Sequence, residues 1–151
     1  MSSYRKILVG TDGSKPSLRA VERAAEVARA SCADLVIVCA YHPTSEQDVR
    51  RAQEELREEA FQVIGSAPAE ETLREAADRA RSVGLTSGIE TVAVLGAPVG
   101  ALLDEAEKHA VDLLVVGSRG LNTLKGRILG SVPAEVARRA DCDVLVVRTT
   151  R

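Results

Sequence analysis

Apolar positions along the chain change period repeatedly, and each change marks an element. Ile7-Leu8-Val9-Gly10 is a short unbroken apolar run, the pattern of a strand covered on both faces. Thr11-Asp12-Gly13-Ser14 reads as a turn, with Asp12 or Ser14 placed to cap a helix and Pro16 tolerated in that helix's first turn. Leu18, Val21, Ala25, Ala28 and Cys32 then recur at spacings of three and four, one apolar helix face. Residues 35–40 form a second strand without alternation, and residues 41–48 a polar exit loop. Two helical stretches follow, one with Leu56, Ala60, Val63 and Ile64, the other with Leu73, Ala76, Ala77, Ala80 and Val83. Ser66-Ala67-Pro68 punctuates them and Gly84 ends the pair.

Residues 89–95 alternate only in part, with Glu90 and Thr91 among the apolar positions, which predicts a strand at a sheet edge. Gly96-Ala97-Pro98 opens a helix whose buried side carries Val99, Leu102, Leu103, Ala106 and Ala110. A buried strand at 112–116, a glycine-containing loop, a helix from about 131 to 140 and a last strand at 143–147 complete the chain. Strands and helices thus alternate, and right-handed crossovers convert that order into a doubly wound α/β fold: a parallel sheet with helices on both faces. Residues 1–151 read as one domain, without linker, repeat or low-complexity segment. In such sheets ligands sit beyond the carboxyl ends of the strands, where the strand order reverses. Gly10-Thr11-Asp12, Ala40-Tyr41 and Gly117 to Gly120 all fall at such ends.

Composition narrows the chemistry. The apolar residues are mainly aliphatic, with no Trp, one Phe and two Tyr, so Ala-rich helix faces pack close on branched strands. A net charge of −2 and no basic run argue against a nucleic-acid binder. Three cysteines, at 32, 39 and 142, form no C-x-x-C pair and read as small buried hydrophobes. No apolar run approaches the roughly 18 residues of a membrane helix, and no signal-peptide core follows the first residues, so a reduced, cytoplasmic protein is expected. His42 and His109 have no evident partner and are expected to face solvent.

The candidate site lies in the last third. Val116, Gly117, Ser118, Arg119 and Gly120 leave the fourth strand, and nine residues later Gly130, Ser131 and Val132 open a helix. Gly117 and Gly120 can take positive φ and let a ligand approach their backbone. A helix N-terminus offers unsatisfied amides and partial positive charge, so the two segments together suit a phosphate. Ser131 can cap that helix and serve the anion with the same hydroxyl, while Arg119, Lys125 and Arg127 bring cations to the connection. Asp12, just past the first strand, can hold a ribose hydroxyl, share Mg²⁺ with phosphates, or simply close an Asx turn. Ala40 and Tyr41 can offer backbone groups to an adenine edge. The P-loop, the G-x-G-x-x-G fingerprint and the hydrolase elbow are missing from the sequence.

These segments together resemble the universal stress protein family over essentially the whole chain. Lys6 to Ser14, Asp112 to Gly120, Gly130-Ser131-Val132 and Val144 to Val147 carry the likeness. The spacing G-x2-G-x9-G-S matches the ATP-binding branch of that family. The resemblance implies a five-stranded parallel sheet of order 3-2-1-4-5 and a homodimer paired through the last strand. It places Asp12 near ribose or metal, Ala40 and Tyr41 near the base, and Gly117, Gly120, Gly130 and Ser131 around ribose and phosphates. A dimer would also cover the short apolar edge at Val144 to Val147. The residue at position 10 is a glycine where the family also uses proline. The implied function is a stress-response regulator that binds ATP or cyclic AMP as sensor or reservoir. The alternatives are a slow Mg²⁺-dependent ATPase or self-phosphorylating enzyme, and an interaction module with a purely structural glycine loop.

Overall fold

A computed structural model describes residues 4–42, 66–118 and 131–149. Within them the order is β1 (Lys6–Gly10), α1 (Lys15–Ser31), β2 (Asp34–Tyr41), α2 (Ser66–Ser82), β3 (Ile89–Leu95), α3 (Pro98–Lys108), β4 (Leu113–Gly117), α4 (Ser131–Arg139) and β5 (Asp143–Val147). All neighbouring strands are parallel, and the sheet order is β3-β2-β1-β4-β5. The chain builds outward from β1 to β3, returns to the other side of β1 with β4, and ends at β5. The order therefore reverses between β1 and β4, and the partly alternating β3 is an edge strand, as its Glu90 and Thr91 predict.

The unbroken apolar strands are buried on both sides because two helical layers cover them. Ile7, Val9, Leu35, Ile37, Cys39, Leu113 and Val115 face α1 and α2, while Leu8, Val36, Val38, Leu114 and Val116 face α3 and α4. The period of two along a strand thus divides one apolar run between two cores. Ala20, Ala24, Ala25 and Ala28 of α1 are all fully buried, so small side chains bring this helix close to the sheet.

Local chemistry sets the helix ends. Ser14 caps α1 in extended conformation (φ −70°, ψ 157°), its Oγ accepting from the Ser17 amide at 3.3 Å, with Pro16 in the first turn. Cys32 ends the helix in the left-handed region (φ 54°), and the Ala33 amide donates back to the Ala28 carbonyl at 2.8 Å. That geometry turns Cys32 to solvent, so the expectation of a buried Cys32 on the apolar face is corrected. Of the three thiols only Cys39 is fully buried; Cys142 is half-buried. Likewise α3 stops at Lys108, and the left-handed Ala110 (φ 52°) leaves Ala110 exposed rather than on the buried stripe. His109, expected in solvent, is instead largely covered, its Nε2 3.0 Å from Glu105 Oε2, while His42 is exposed. The helix read from Leu56 to Ile64 lies outside the described residues.

Candidate functional site

The cleft opens at the carboxyl ends of β1, β2 and β4, over the reversal of strand order, where open α/β sheets take ligands. About 610 Å³ of space, open solvent included, lies within it. One wall is apolar: Val38 and Ala40 from β2, Val116 from β4, Pro98 and Leu102 from α3, and Val132 from α4. The other is polar, with Thr11, Asp12, Ser14 and Ser17 from the β1–α1 turn, and Thr149 beyond β5. An apolar slot beside a hydroxyl- and carboxylate-bearing turn suits a flat heterocycle joined to a hydroxylated sugar.

Each wall has a local cause. The Thr11 amide donates to the Val38 carbonyl at 2.9 Å, carrying the β1–β2 ladder one residue past the strand and burying Thr11. Gly13, at φ +86°, then reverses the chain into α1. Asp12 Oδ1 accepts from the Ser14 amide at 3.0 Å and from Ser14 Oγ at 2.6 Å, so this carboxylate does close an Asx turn while also lining the cleft. Gly10 has Leu102 against it: a Cβ there would stand 2.7 Å from Leu102 Cδ2, so the glycine lets α3 approach the floor of the cleft.

Gly117 closes β4 without using the positive φ open to a glycine. Its missing Cβ accommodates Thr149 instead, whose Cγ2 would lie 3.1 Å from a Cβ at this position. Ser118 faces β5. Its amide donates to the Val147 carbonyl at 2.7 Å, and its Oγ accepts from the Thr149 amide at 3.2 Å. Arg19 fixes the same segment by donating to the Thr149 carbonyl at 3.3 Å.

Of the residues singled out in the sequence, Gly10, Thr11, Asp12, Ala40, Val116, Gly117 and Val132 converge on the cleft. Tyr41, Ser118 and Ser131 are not among its walls: Tyr41 packs on the α1–α2 core, and Ser131 starts α4 in an exposed position. Arg119, Gly120, Arg127 and Gly130 lie outside the described residues. Ser14, Pro16, Ser17, Val38, Pro98, Leu102 and Thr149 were not foreseen as wall residues. Leu102 carried a signal as an apolar helix position, but nothing local marks Thr149, since its place depends on β5 lying beside β4.

Enclosure pushes the Cys39 thiol up to about 12, with the Asp12 carboxylate adding to the rise, so it stays a neutral packing group. Among the described residues no group of three or more His, Cys, Asp or Glu side chains could hold a metal ion. No described helix is long and apolar enough to cross a membrane.

Fold and cleft define a small doubly wound α/β protein with a ligand site at the switch point of its sheet. The chain belongs to the universal stress protein family, whose sequence pattern matches residues 3–148. It is 49% identical over 150 residues to universal stress protein Rv1636 of Mycobacterium tuberculosis strain H37Rv, covering 99% of this chain and 100% of that protein. It is 30% identical to universal stress protein YxiE of Bacillus subtilis, covering 96% of this chain and 99% of that one. Among solved structures it is similar to a universal stress protein in complex with cAMP, at 47% identity and TM-score 0.76, covering 99% of this chain and 100% of the other. UspA of Lactobacillus plantarum matches at 25% identity and TM-score 0.74, over 98% of this chain and 100% of the other.

Proposed function

We propose that the protein binds an adenine nucleotide, ATP or cyclic AMP, in this cleft and acts in the stress response as a sensor or reservoir. The observation that carries the reading is the coincidence of an apolar slot and a carboxylate-bearing turn at the sheet's switch point. The 47% identical relative solved with cAMP supports it. In this reading the base lies against Ala40 and its neighbours, with the Tyr41 backbone at its edge, and Gly10, Thr11 and Asp12 meet the ribose. Val116 to Gly120, with Arg119, and Gly130 to Val132, with Arg127, surround the phosphates. Asp12 is the described carboxylate in the cleft, so Mg²⁺ arriving with ATP would be held by Asp12 together with the phosphates and would neutralise their charge.

The same reading makes residues 1–151 one functional unit that pairs through β5 in the cytoplasm. Among the described residues β5 has only β4 as a neighbour, and Val144 to Val147 are half-buried there. A second copy would satisfy the edge amides and cover the valines. Sedimentation should then report twice the 16.0 kDa chain mass.

Equilibrium dialysis against cyclic AMP and ATP, with and without Mg²⁺, tests the main proposal. Saturable binding of either nucleotide is expected; no uptake at millimolar nucleotide overturns it.

A further inference from the structure

In the turn between β1 and α1 the hydroxyls form one connected hydrogen-bond network. Ser17 Oγ donates to the Ser14 carbonyl at 2.9 Å, which commits its single proton. With that proton so placed, the 2.8 Å contact between the Thr11 and Ser17 hydroxyls runs from Thr11 to Ser17. The Asp12 amide reaches the same Ser17 oxygen at 3.3 Å and fills its remaining lone pair. Thr11 Oγ1 accepts from the Gly13 amide at 3.1 Å, and Ser14 Oγ gives its proton to Asp12 Oδ1 at 2.6 Å.

In this arrangement the hydroxyl protons of Thr11, Ser14 and Ser17 are used within the turn. Asp12 Oδ1 already accepts from the Ser14 amide and hydroxyl, while Oδ2 has no hydrogen-bond partner among the described residues. What Asp12 presents to a ligand is a charged acceptor, which repels phosphate and attracts O–H groups. ATP and cyclic AMP share one free sugar hydroxyl, the 2′, because cyclisation removes the 3′ from the second. Ser17 touches Thr11, Asp12 and Ser14 together, and does so from the first turn of a capped helix.

We infer that Ser17 is a positioning residue for sugar recognition: its hydroxyl holds the Asp12 amide and the Ser14 carbonyl, and so the turn in which the Asp12 carboxylate accepts the ribose 2′-hydroxyl. The inference rests on the nucleotide-binding reading and names what that site discriminates. Ser17 acts through Asp12, so its loss removes selectivity for the sugar before it removes binding of the base and phosphates.

The test compares ATP with 2′-deoxy-ATP, and cyclic AMP with its 2′-deoxy form, by calorimetry in EDTA so that no cation bridges the ligand. The intact protein should prefer the ribose forms by about tenfold to a hundredfold, the worth of one hydrogen bond to a charged acceptor. Ser17→Ala should bring that ratio to within about threefold of one, the ribose forms losing more affinity than the deoxy forms. Ser17→Thr, which keeps the hydroxyl, should keep the preference. Equal loss of ribose and deoxy forms in Ser17→Ala would show a merely structural role and overturn the inference. So would an unchanged ratio in that variant, or an intact protein that binds both sugars alike. An intact protein that binds none of the four nucleotides would instead defeat the nucleotide reading itself, and this inference with it.

Discussion

The Glu105 carboxylate on α3 and the imidazole of His109, the residue that caps that helix, are joined by a 3.0 Å hydrogen bond where both are largely hidden from water. The second ring nitrogen, Nδ1, lies 3.7 Å from Glu90 on β3, so the pair also ties the end of α3 to the edge strand. A buried carboxylate is tolerated only with a partner. His109→Ala should therefore lower unfolding free energy by about 1–3 kcal/mol in urea titrations, the cost of leaving that carboxylate unsatisfied. Adding Glu105→Leu should recover most of the loss, since the unpaired charge is then removed.

Gly10 and Leu102 form a second coupled pair, because a Cβ at position 10 would stand 2.7 Å from Leu102 Cδ2. Gly10→Ala should push Leu102 toward the cleft and destabilise the fold by about 1–2 kcal/mol. Leu102→Ala removes the clash, so the double variant should be more stable than the sum of the single effects implies. Denaturant midpoints of the four proteins in the cycle check this, and additive losses would contradict it.

The three thiols should react in order of exposure. Cys32 is exposed, Cys142 half-buried and Cys39 buried, with burial raising the pKa of both Cys142 and Cys39. Brief alkylation of the native protein at neutral pH should mark Cys32 first and spare Cys39, as peptide mass mapping would show. The sign of the Cys39 shift also fixes a pH trend. Its folded value of about 12 stands above the ordinary 9.0, so the unfolded chain loses this proton first. The stabilisation is complete below pH 9.0 and is lost as pH rises toward about 12. Thermal melts should fall over that alkaline window, and Cys39→Ala should flatten the fall.

Asp112 anchors the start of the first strand. Its carboxylate oxygens accept from the Arg5 amide at 2.9 Å and the Lys6 amide at 3.1 Å. Asp112→Ala should speed hydrogen exchange at both amides and cost about 1–3 kcal/mol of stability. Asp112→Asn, which keeps an acceptor, should lose less.

Much of the fold was legible along the chain. Residues 35–40 lack alternation because both faces of β2 are covered, and Glu90 and Thr91 break the pattern of β3 because, among the described residues, that strand ends the sheet. Ser14 and Pro16 announced the start of α1 through side-chain chemistry that acts within one turn. Cys32, Ala110 and His109 were misplaced for a single reason. Each sits where a helix ends, and there the backbone leaves the 3.6-residue period that assigns a side chain to a face.

The site divides along the same line. Gly10, Thr11, Asp12, Ala40, Val116 and Gly117 follow from counting strands, because every parallel strand delivers its carboxyl end to one rim. Leu102 and Pro98 enter the cleft because α3 crosses over β1 and β2, and Thr149 because β5 lies beside β4. Patterning records which side of an element avoids water, and that is local information. Which distant side chains share a cavity depends on how close two elements come, and at Gly10 and Gly117 that distance is set by the atom each residue lacks.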